Sequence, residues 1–180
     1  MAEPLAVVIR PCFQQDLEFV QLIYGHHVMT GTGTFEIDPP SLEEMTARWS
    51  RIVSKGWPFL VAVPTNDLSR VLGFAYAGQF RDRPAYAHTF EDSIYVAPNI
   101  MGGGVGSHLL QELLSVLKAD DVREVLAVIG DRANTASVRL HARAGFTYVG
   151  MLANVGYKFD RWLDVVLMQR SLADAESSAS

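Results

Sequence analysis

The stretch MGGGVGSHLL at positions 101–110 constrains the fold more than any other part of the chain. It packs four glycines into six positions and runs straight into a leucine-rich helical pattern. Glycine loses more conformational freedom on ordering than any other residue, so a chain keeps this much bare backbone only where something needs it. Before the stretch, DSIYVAP at 92–98 reads as a strand closed by Pro98; after it, Leu109, Leu110, Leu113, Leu114 and Leu117 form one apolar helix face. Strand, glycine loop and helix N-terminus together make an anion site. Main-chain N–H groups point outward, the helix dipole favours negative charge, and missing Cβ atoms let phosphate oxygens approach closely. On glycine content alone, a flexible connection ending in a helix cap is the other reading. Two named phosphate motifs do not fit. A P-loop ends in Gly-Lys-Ser/Thr, whereas Gly106 is followed by Ser107 and His108; a dinucleotide fingerprint needs a third glycine, which the run from Gly104, Gly-Val-Gly-Ser-His-Leu, lacks.

The remaining elements fall on both sides of this unit. LAVVIRP at 5–11 reads as a strand, and the apolar spacing of Leu17, Val20, Tyr24 and Val28 predicts a helix over 14–28. GTGTFEIDPP at 31–40 is turn-rich. Ser41 and Glu44 form a capping box ahead of Met45, Trp49, Ile52 and Val53, and Gly56 ends that helix. WPFLVAV (57–63) and RVLGFAYAGQF (70–80) are strands, and REVLAVIG (123–130) has the apolar run of a strand buried on both faces. NTASVRLHARAGF (134–146) is a short helix between the N-cap Asn134 and Gly145, followed by strands TYVGMLA (147–153) and WLDVVLMQRSL (162–172). The order β-α-α-β-β-β-α-β-α-β-β implies a mixed sheet with helices on its faces, an α/β (α+β) fold. At 180 residues, one domain over 1–172 is expected, with a small polar tail at 173–180 expected to be disordered.

Composition narrows the function. A net charge of −5 argues against non-specific nucleic-acid binding, which needs clustered Lys and Arg, so an anionic ligand must be held by local features. No apolar run approaches the roughly 18 residues of a membrane span, and the N-terminus has neither the basic nor the long apolar region of a secretory signal. The single cysteine, Cys12, can form no internal disulfide, which fits a reducing cytoplasm, and no His, Cys or acidic spacing reads as a metal site.

With these residues in view, YVAPNIMGGGVGSHLL (95–110) resembles motif A of the GCN5-related N-acetyltransferases, whose pyrophosphate loop is Q/R-x-x-G-x-G/A. Met101 stands at the Q/R position and Gly104-Val105-Gly106 supply G-x-G. The next motif of that family is matched by Asn134, His141, Gly145 and Phe146. TFE at 34–36, FAYAGQFRDRPAY at 74–86, EDSIYV at 91–96, AVIGDRANTASVRLHARAGF at 127–146 and GYKFDRWLDVVLMQ at 156–169 sharpen the resemblance to the phosphinothricin acetyltransferase-like branch, over nearly the whole chain from Val8 to Leu172.

The resemblance implies acetyl transfer from acetyl-CoA to a primary amine, without a metal. Acetyl-CoA would be held by Ile94, Tyr95, Val96, Met101, Gly102, Gly103, Gly104, Val105, Gly106, Ser107 and Asn134. Glu91 would be the general base and His141 an acid or second base, where many relatives have a tyrosine. Arg81 and Arg83 alternate with Asp82 and would share one side if that segment were extended; two guanidiniums there suit a carboxylate or phosphinate. Phe35 and Tyr86 would supply apolar walls, and Lys158 and Trp162 match positions near the site. The expected acceptor is therefore a small amino-acid-like amine. A polyamine or protein N-terminus is the alternative acceptor, and a CoA-binding regulatory module the alternative of another class. Relatives of this kind suggest a homodimer; no membrane or nucleic-acid partner is expected.

Overall fold

A computed structural model describes residues 6–100 and 102–173; Met101 and the expected tail from residue 174 onward lie outside the described residues. The elements are β1 (Val7–Pro11), α1 (Leu17–Thr30), α2 (Leu42–Val53), β2 (Phe59–Pro64), β3 (Gly73–Gln79), β4 (Thr89–Val96), α3 (Val105–Ala119), β5 (Glu124–Gly130), α4 (Thr135–Arg143), β6 (Thr147–Lys158) and β7 (Arg161–Ser171). This is the order that the sequence predicts. The strands form a seven-stranded sheet in the order β1-β2-β3-β4-β5-β7-β6. Every pairing is antiparallel except β4 with β5, whose parallel alignment requires a crossover, and α3 supplies it.

Each face of the sheet buries its own core. On one, Leu109, Leu110, Leu113 and Leu117 of α3 pack on Leu60, Ala62, Ala75 and Val125. On the other, Val20, Tyr24 and Val28 of α1 and Met45 of α2 cover Phe59, Val61, Val63 and Phe74. Strand β2, inside the sheet between β1 and β3, is buried at every position, which explains its unbroken apolar run. Helix α2 starts as predicted, with Ser41 Oγ accepting from the Glu44 amide at 3.1 Å. Among the described residues no helix is long and apolar enough to cross a membrane.

Three local differences matter for the site. Helix α1 is preceded by a 3₁₀ turn at Gln14–Asp16 and continues to Thr30. Strand β6 runs to Lys158, five residues beyond its predicted end; register shifts between Tyr148 and Gly150 and between Leu152 and Gly156, with Asn154 at φ +56°, break the alternation a sequence reading depends on. The segment carrying Arg81 and Arg83 is not extended. Residues 80–83 bend and Pro84–Tyr86 form a 3₁₀ turn, so the alternation argument for the two arginines does not apply. Gln79 Nε2 curls the segment by donating to the carbonyls of Arg81 and Arg83.

Candidate active site

Strands β4 and β5 pair only from Thr89/Glu124 to Asp92/Ala127. Beyond that point β4 runs on to Val96 and β5 to Gly130 without bonding each other, and a gap opens between them. On its other edge β4 stays paired with β3 up to Val96/Gly73. In an antiparallel ladder alternate residues turn their main-chain groups to one neighbour. The Thr89 carbonyl accepts from Phe80 and the Ala97 amide donates to Leu72, so the odd-numbered residues face β3. The amides of Ile94 and Val96 therefore face the gap, whereas that of Tyr95 is turned to β3. Histidine 27 of α1 donates from Nε2 to the Val96 carbonyl at 2.8 Å, pinning the end of the strand. Its burial lowers its proton affinity, so the ring is neutral there.

The glycine loop closes this gap at one end. Gly102 and Gly104 have φ of +88° and +82°, which only glycine adopts freely, and a Cβ on either would meet no protein atom within 4 Å. The open space lies outside the protein's own packing. Gly104 caps α3; the Gly103 amide bonds Ile100 and the Ser107 amide bonds Gly104, while the amides of Val105 and Gly106 find no backbone acceptor among the described residues. Val105 is buried beneath them, and a Cβ on Gly106 would touch Val96 at 3.5 Å and Leu140 at 3.6 Å. Among the described residues, a pyrophosphate here would meet amides without a backbone acceptor, a helix N-terminus and no side chain in the way. The same residues fit the phosphate arm of acetyl-CoA, and the gap-facing amides of β4 fit its amide-bearing arm. Asn134 caps α4 by accepting from the Ser137 amide at 3.2 Å, and its side-chain nitrogen approaches Gly33.

Side chains alternate along β4, so the strand presents different chemistry to its two faces. Phe90, Asp92, Ile94 and Val96 point toward α3 and α4, where Asp92 Oδ2 meets Nε2 of the buried His141 at 3.0 Å. Glu91, Ser93 and Tyr95 point toward α1 and α2. Glu91 is partly buried; desolvation, and then the charge of Asp92, raise its pKa, and Arg81 partly offsets them. A carboxyl held above its ordinary range is suited to take a proton near neutral pH.

On that second face lies a half-open cleft of about 480 Å³ lined by Tyr24, Glu36, Arg48, Phe74, Tyr76 and their neighbours. Arg48 of α2 grips Glu36 through both guanidinium nitrogens, at 2.6 and 3.1 Å, and also bonds Glu44. Tyr24 donates to Glu36 at 2.7 Å and shares a 3.0 Å bond with Thr34. Burial would raise the Glu36 pKa, but the bonds from Arg48 and Tyr24 outweigh it and hold it below the ordinary range. Lys158 is buried and structural: Nζ donates to the carbonyls of Gly31 and Thr34 at 2.8 and 2.9 Å and fixes the loop that carries Phe35 and Glu36. Phe35 wedges between Gly130 and Gly156, so close that a Cβ on Gly156 would come within 2.3 Å of the ring. Asp131 ties this corner together, accepting from Thr32, the Ala133 amide and Arg161.

Arg81, Arg83 and Tyr86 are exposed on the bend beyond β3. The Arg81 guanidinium lies over the Phe80 ring at 4.1 Å, and Phe80 meets Tyr86 edge to face at 5.8 Å. Trp162 is exposed and packs on Tyr157, away from both cores.

The model of the acetyltransferase (GNAT) family matches residues 26–146, two thirds of the chain and every part of the gap, the glycine loop and α4. The chain belongs to this family. It is 46% identical over 167 residues to a phosphinothricin N-acetyltransferase of Alcaligenes faecalis, covering 93% of this chain and 83% of the relative. It is 33% identical over 174 residues to an L-methionine sulfoximine/L-methionine sulfone acetyltransferase of Pseudomonas paraeruginosa, covering 97% and 99%. Its fold matches that of a GNAT superfamily phosphinothricin acetyltransferase from Sinorhizobium meliloti, solved in complex with AcCoA, with a TM-score of 0.90 at 38% identity, covering 97% and 92% of the two chains. The chain is accordingly an acetyltransferase with a GNAT fold, as its motifs imply.

Three side chains around the gap and the cleft escaped the sequence reading: Arg48, Tyr24 and Asp92. Arg48 and Tyr24 sit at ordinary helical positions, and only the folded cleft brings them to Glu36. Asp92 read as one more polar strand residue; its parity, opposite to that of Glu91, was the available signal. Among the described residues no cluster of three or more His, Cys, Asp or Glu is placed to hold a metal.

Proposed function

We propose that this enzyme acetylates the primary amine of a small amino-acid-like substrate, of the phosphinothricin or methionine sulfoximine type that its relatives' names specify. The observation that carries the proposal is the position of Glu91. It stands one residue before the apex of the β4/β5 gap, on the cleft face, with a raised pKa and within electrostatic reach of Arg81. When bound, acetyl-CoA supplies an activated acetyl group. Ile94 and Val96 offer it amides from β4, while Gly102, Gly103, Gly104, Val105, Gly106 and Ser107 cradle its pyrophosphate; Tyr95 contributes packing and Asn134 the cap of α4. Glu91 removes the proton that an ammonium must lose before its nitrogen has a lone pair to attack with. Arg81 and Arg83, beside Tyr86, pair with the acceptor's carboxylate, and Phe35 braces the facing wall. A polyamine would want an acidic acceptor rim in place of these arginines.

We place the enzyme in the cytoplasm, as one domain over 1–172, with its single thiol, Cys12, buried and pushed up to about 12. It works as a homodimer. Strand β6 forms a sheet edge, and Tyr148, Val149, Leu152, Val155, Tyr157 and Trp162 on the β6–β7 arm are all exposed. A long apolar edge of this kind is an aggregation liability unless another chain covers it. A second copy is the occupant we favour, since most soluble oligomers are closed assemblies of one chain.

The test is a screen of amino acids and their analogues, polyamines and short peptides with acetyl-CoA, reading free thiol. Amino acids bearing a free α-carboxylate are expected to release thiol fastest. Turnover confined to polyamines or peptide N-termini overturns the proposed acceptor class.

A further inference from the structure

Both nitrogens of the buried His141 ring are engaged. Nδ1 lies 2.8 Å from the Ser137 carbonyl oxygen, which can only accept, so Nδ1 carries a hydrogen. Nε2 lies 3.0 Å from Asp92 Oδ2, and a second hydrogen must sit in that bond, because two facing lone pairs would repel. The ring is wedged edge to face against Phe146 at 5.0 Å. Oδ1, the other oxygen of Asp92, is buried with no hydrogen-bond partner among the described residues. Asp92 is also the last β4 residue paired with β5, so this couple sits at the apex of the gap.

We propose that Asp92 is a positioning residue of the acetyl transfer, holding His141 doubly protonated at the apex of the gap as a charged group, not a neutral ring. The proposal rests on the reading of the gap as the acetyl-CoA site. Burial alone would strip the ring of its second proton; the hydrogen bond and charge of Asp92, with the Ser137 carbonyl, outweigh it and raise the proton affinity of His141. The groups facing the ring are Ser137 from its own helix, Phe146 from the turn after it and Asp92 from β4. Asp92 also acts on the opposite face of β4, where its charge helps to hold Glu91 up. One carboxylate thereby bears on two titratable groups on opposite sides of the strand, reinforcing for Glu91 what burial already does.

The first test needs neither ligand nor mutation. Nitrogen-15 NMR of the free enzyme should show His141 keeping protons on both ring nitrogens to higher pH than an ordinary histidine does, and a ring that loses its second proton at or below the ordinary histidine range overturns the proposal. The second uses Asp92→Asn, whose amide can donate to a neutral Nε2 and so keep the bond and the fold. Removing an opposite charge at this range shifts a pKa by about 1–3 units. The titration of His141 should fall by that much, and both limbs of the kcat–pH profile should move to lower pH, because Glu91 is released as well. The KM for acetyl-CoA should hold, and Asp92→Glu should restore part of the profile. A variant whose His141 titrates as in the wild type, or whose profile stays in place, overturns the role. The ring measurement is made without ligand, so its failure is distinct from failure of the acetyl-transfer reading, which thiol release decides.

Discussion

The two sides of β4 are built from different material. The gap and the glycine loop offer main-chain amides, from Ile94 and Val96 on one wall and from Val105 and Gly106 at the start of α3. The cleft on the α1/α2 face offers side chains from distant segments: Tyr24 on α1, Glu36 in the following loop, Arg48 on α2 and Tyr76 on β3, with Glu91 of β4 turned to the same face. Main-chain groups are identical in every residue, so the first region tolerates many sequences and is damaged chiefly by added Cβ atoms. The second depends on individual side chains and on the contacts that aim them. A transferase that keeps one donor and varies its acceptor gains from this division.

The largest break in that comparison should come from Glu91, the base proposed above. Glu91→Gln keeps the shape and removes the base, and losing a general base typically lowers kcat by about 10²–10⁴-fold. Steady-state kinetics should show this with both KM values nearly unchanged. The deficit should narrow as pH rises and free amine becomes abundant. In the wild type, activity should fall as pH drops through the raised pKa of Glu91, above the ordinary carboxylate range, because protonation there removes the base. A variant with near-full kcat at neutral pH takes Glu91 out of the mechanism.

The arginine loop comes next. A charge-assisted bond to a carboxylate is worth about 1.5–3 kcal/mol, so Arg81→Ala or Arg83→Ala should lower kcat/KM for an amino-acid acceptor by roughly ten- to a hundredfold and leave acetyl-CoA binding alone. The same variants should act nearly normally on an acceptor whose carboxylate is esterified. Equal losses on both forms mean that the arginines hold the bend together, as the contact of Arg81 with Phe80 also allows.

The same division explains what could be read from the sequence. Element order and the glycine loop were legible because they rest on local rules: the apolar face of α3, the cap at Ser41, and glycines ahead of a helix. The arginine geometry was not, because its reading assumed an extended strand where Gln79 and Pro84 curl the chain. The extent of β6 was hidden by its register shifts and by exposed apolar residues that carry no alternation. Glu36 was visible in its motif, but its partners Arg48 and Tyr24 are each 12 residues away and unmarked. Nor could spacing show that Phe35 needs glycine at both 130 and 156, since that requirement exists only once β5 and β6 flank the ring.

Gly156 extends the comparison to packing that touches no substrate. A methyl group there would overlap the Phe35 ring. Overpacking of this kind costs about 1–3 kcal/mol, so Gly156→Ala should lower Tm by several degrees and raise the KM for the acceptor, with the KM for acetyl-CoA unmoved. Adding Phe35→Leu should recover part of the stability. If acetyl-CoA binding weakens as much as acceptor binding, the two regions are not separately built.

The smallest effect, and the cleanest probe of the main-chain side, belongs to Gly104. Its φ of +82° is strained for most side chains, so a loss from Gly104→Val would mix backbone strain with ligand clash. Asparagine visits the left-handed region far more readily, and a Cβ at this position meets no protein atom within 4 Å. Gly104→Asn should therefore fold with a Tm close to that of the wild type, while its side chain occupies space a phosphate would need. The KM for acetyl-CoA should rise about tenfold, equivalent to about 1.4 kcal/mol, with acceptor KM and kcat nearly unchanged at saturating acetyl-CoA. An unchanged KM in a folded Gly104→Asn enzyme would move the pyrophosphate away from this loop and leave its glycines without the purpose that their φ angles and open Cβ positions assign to them.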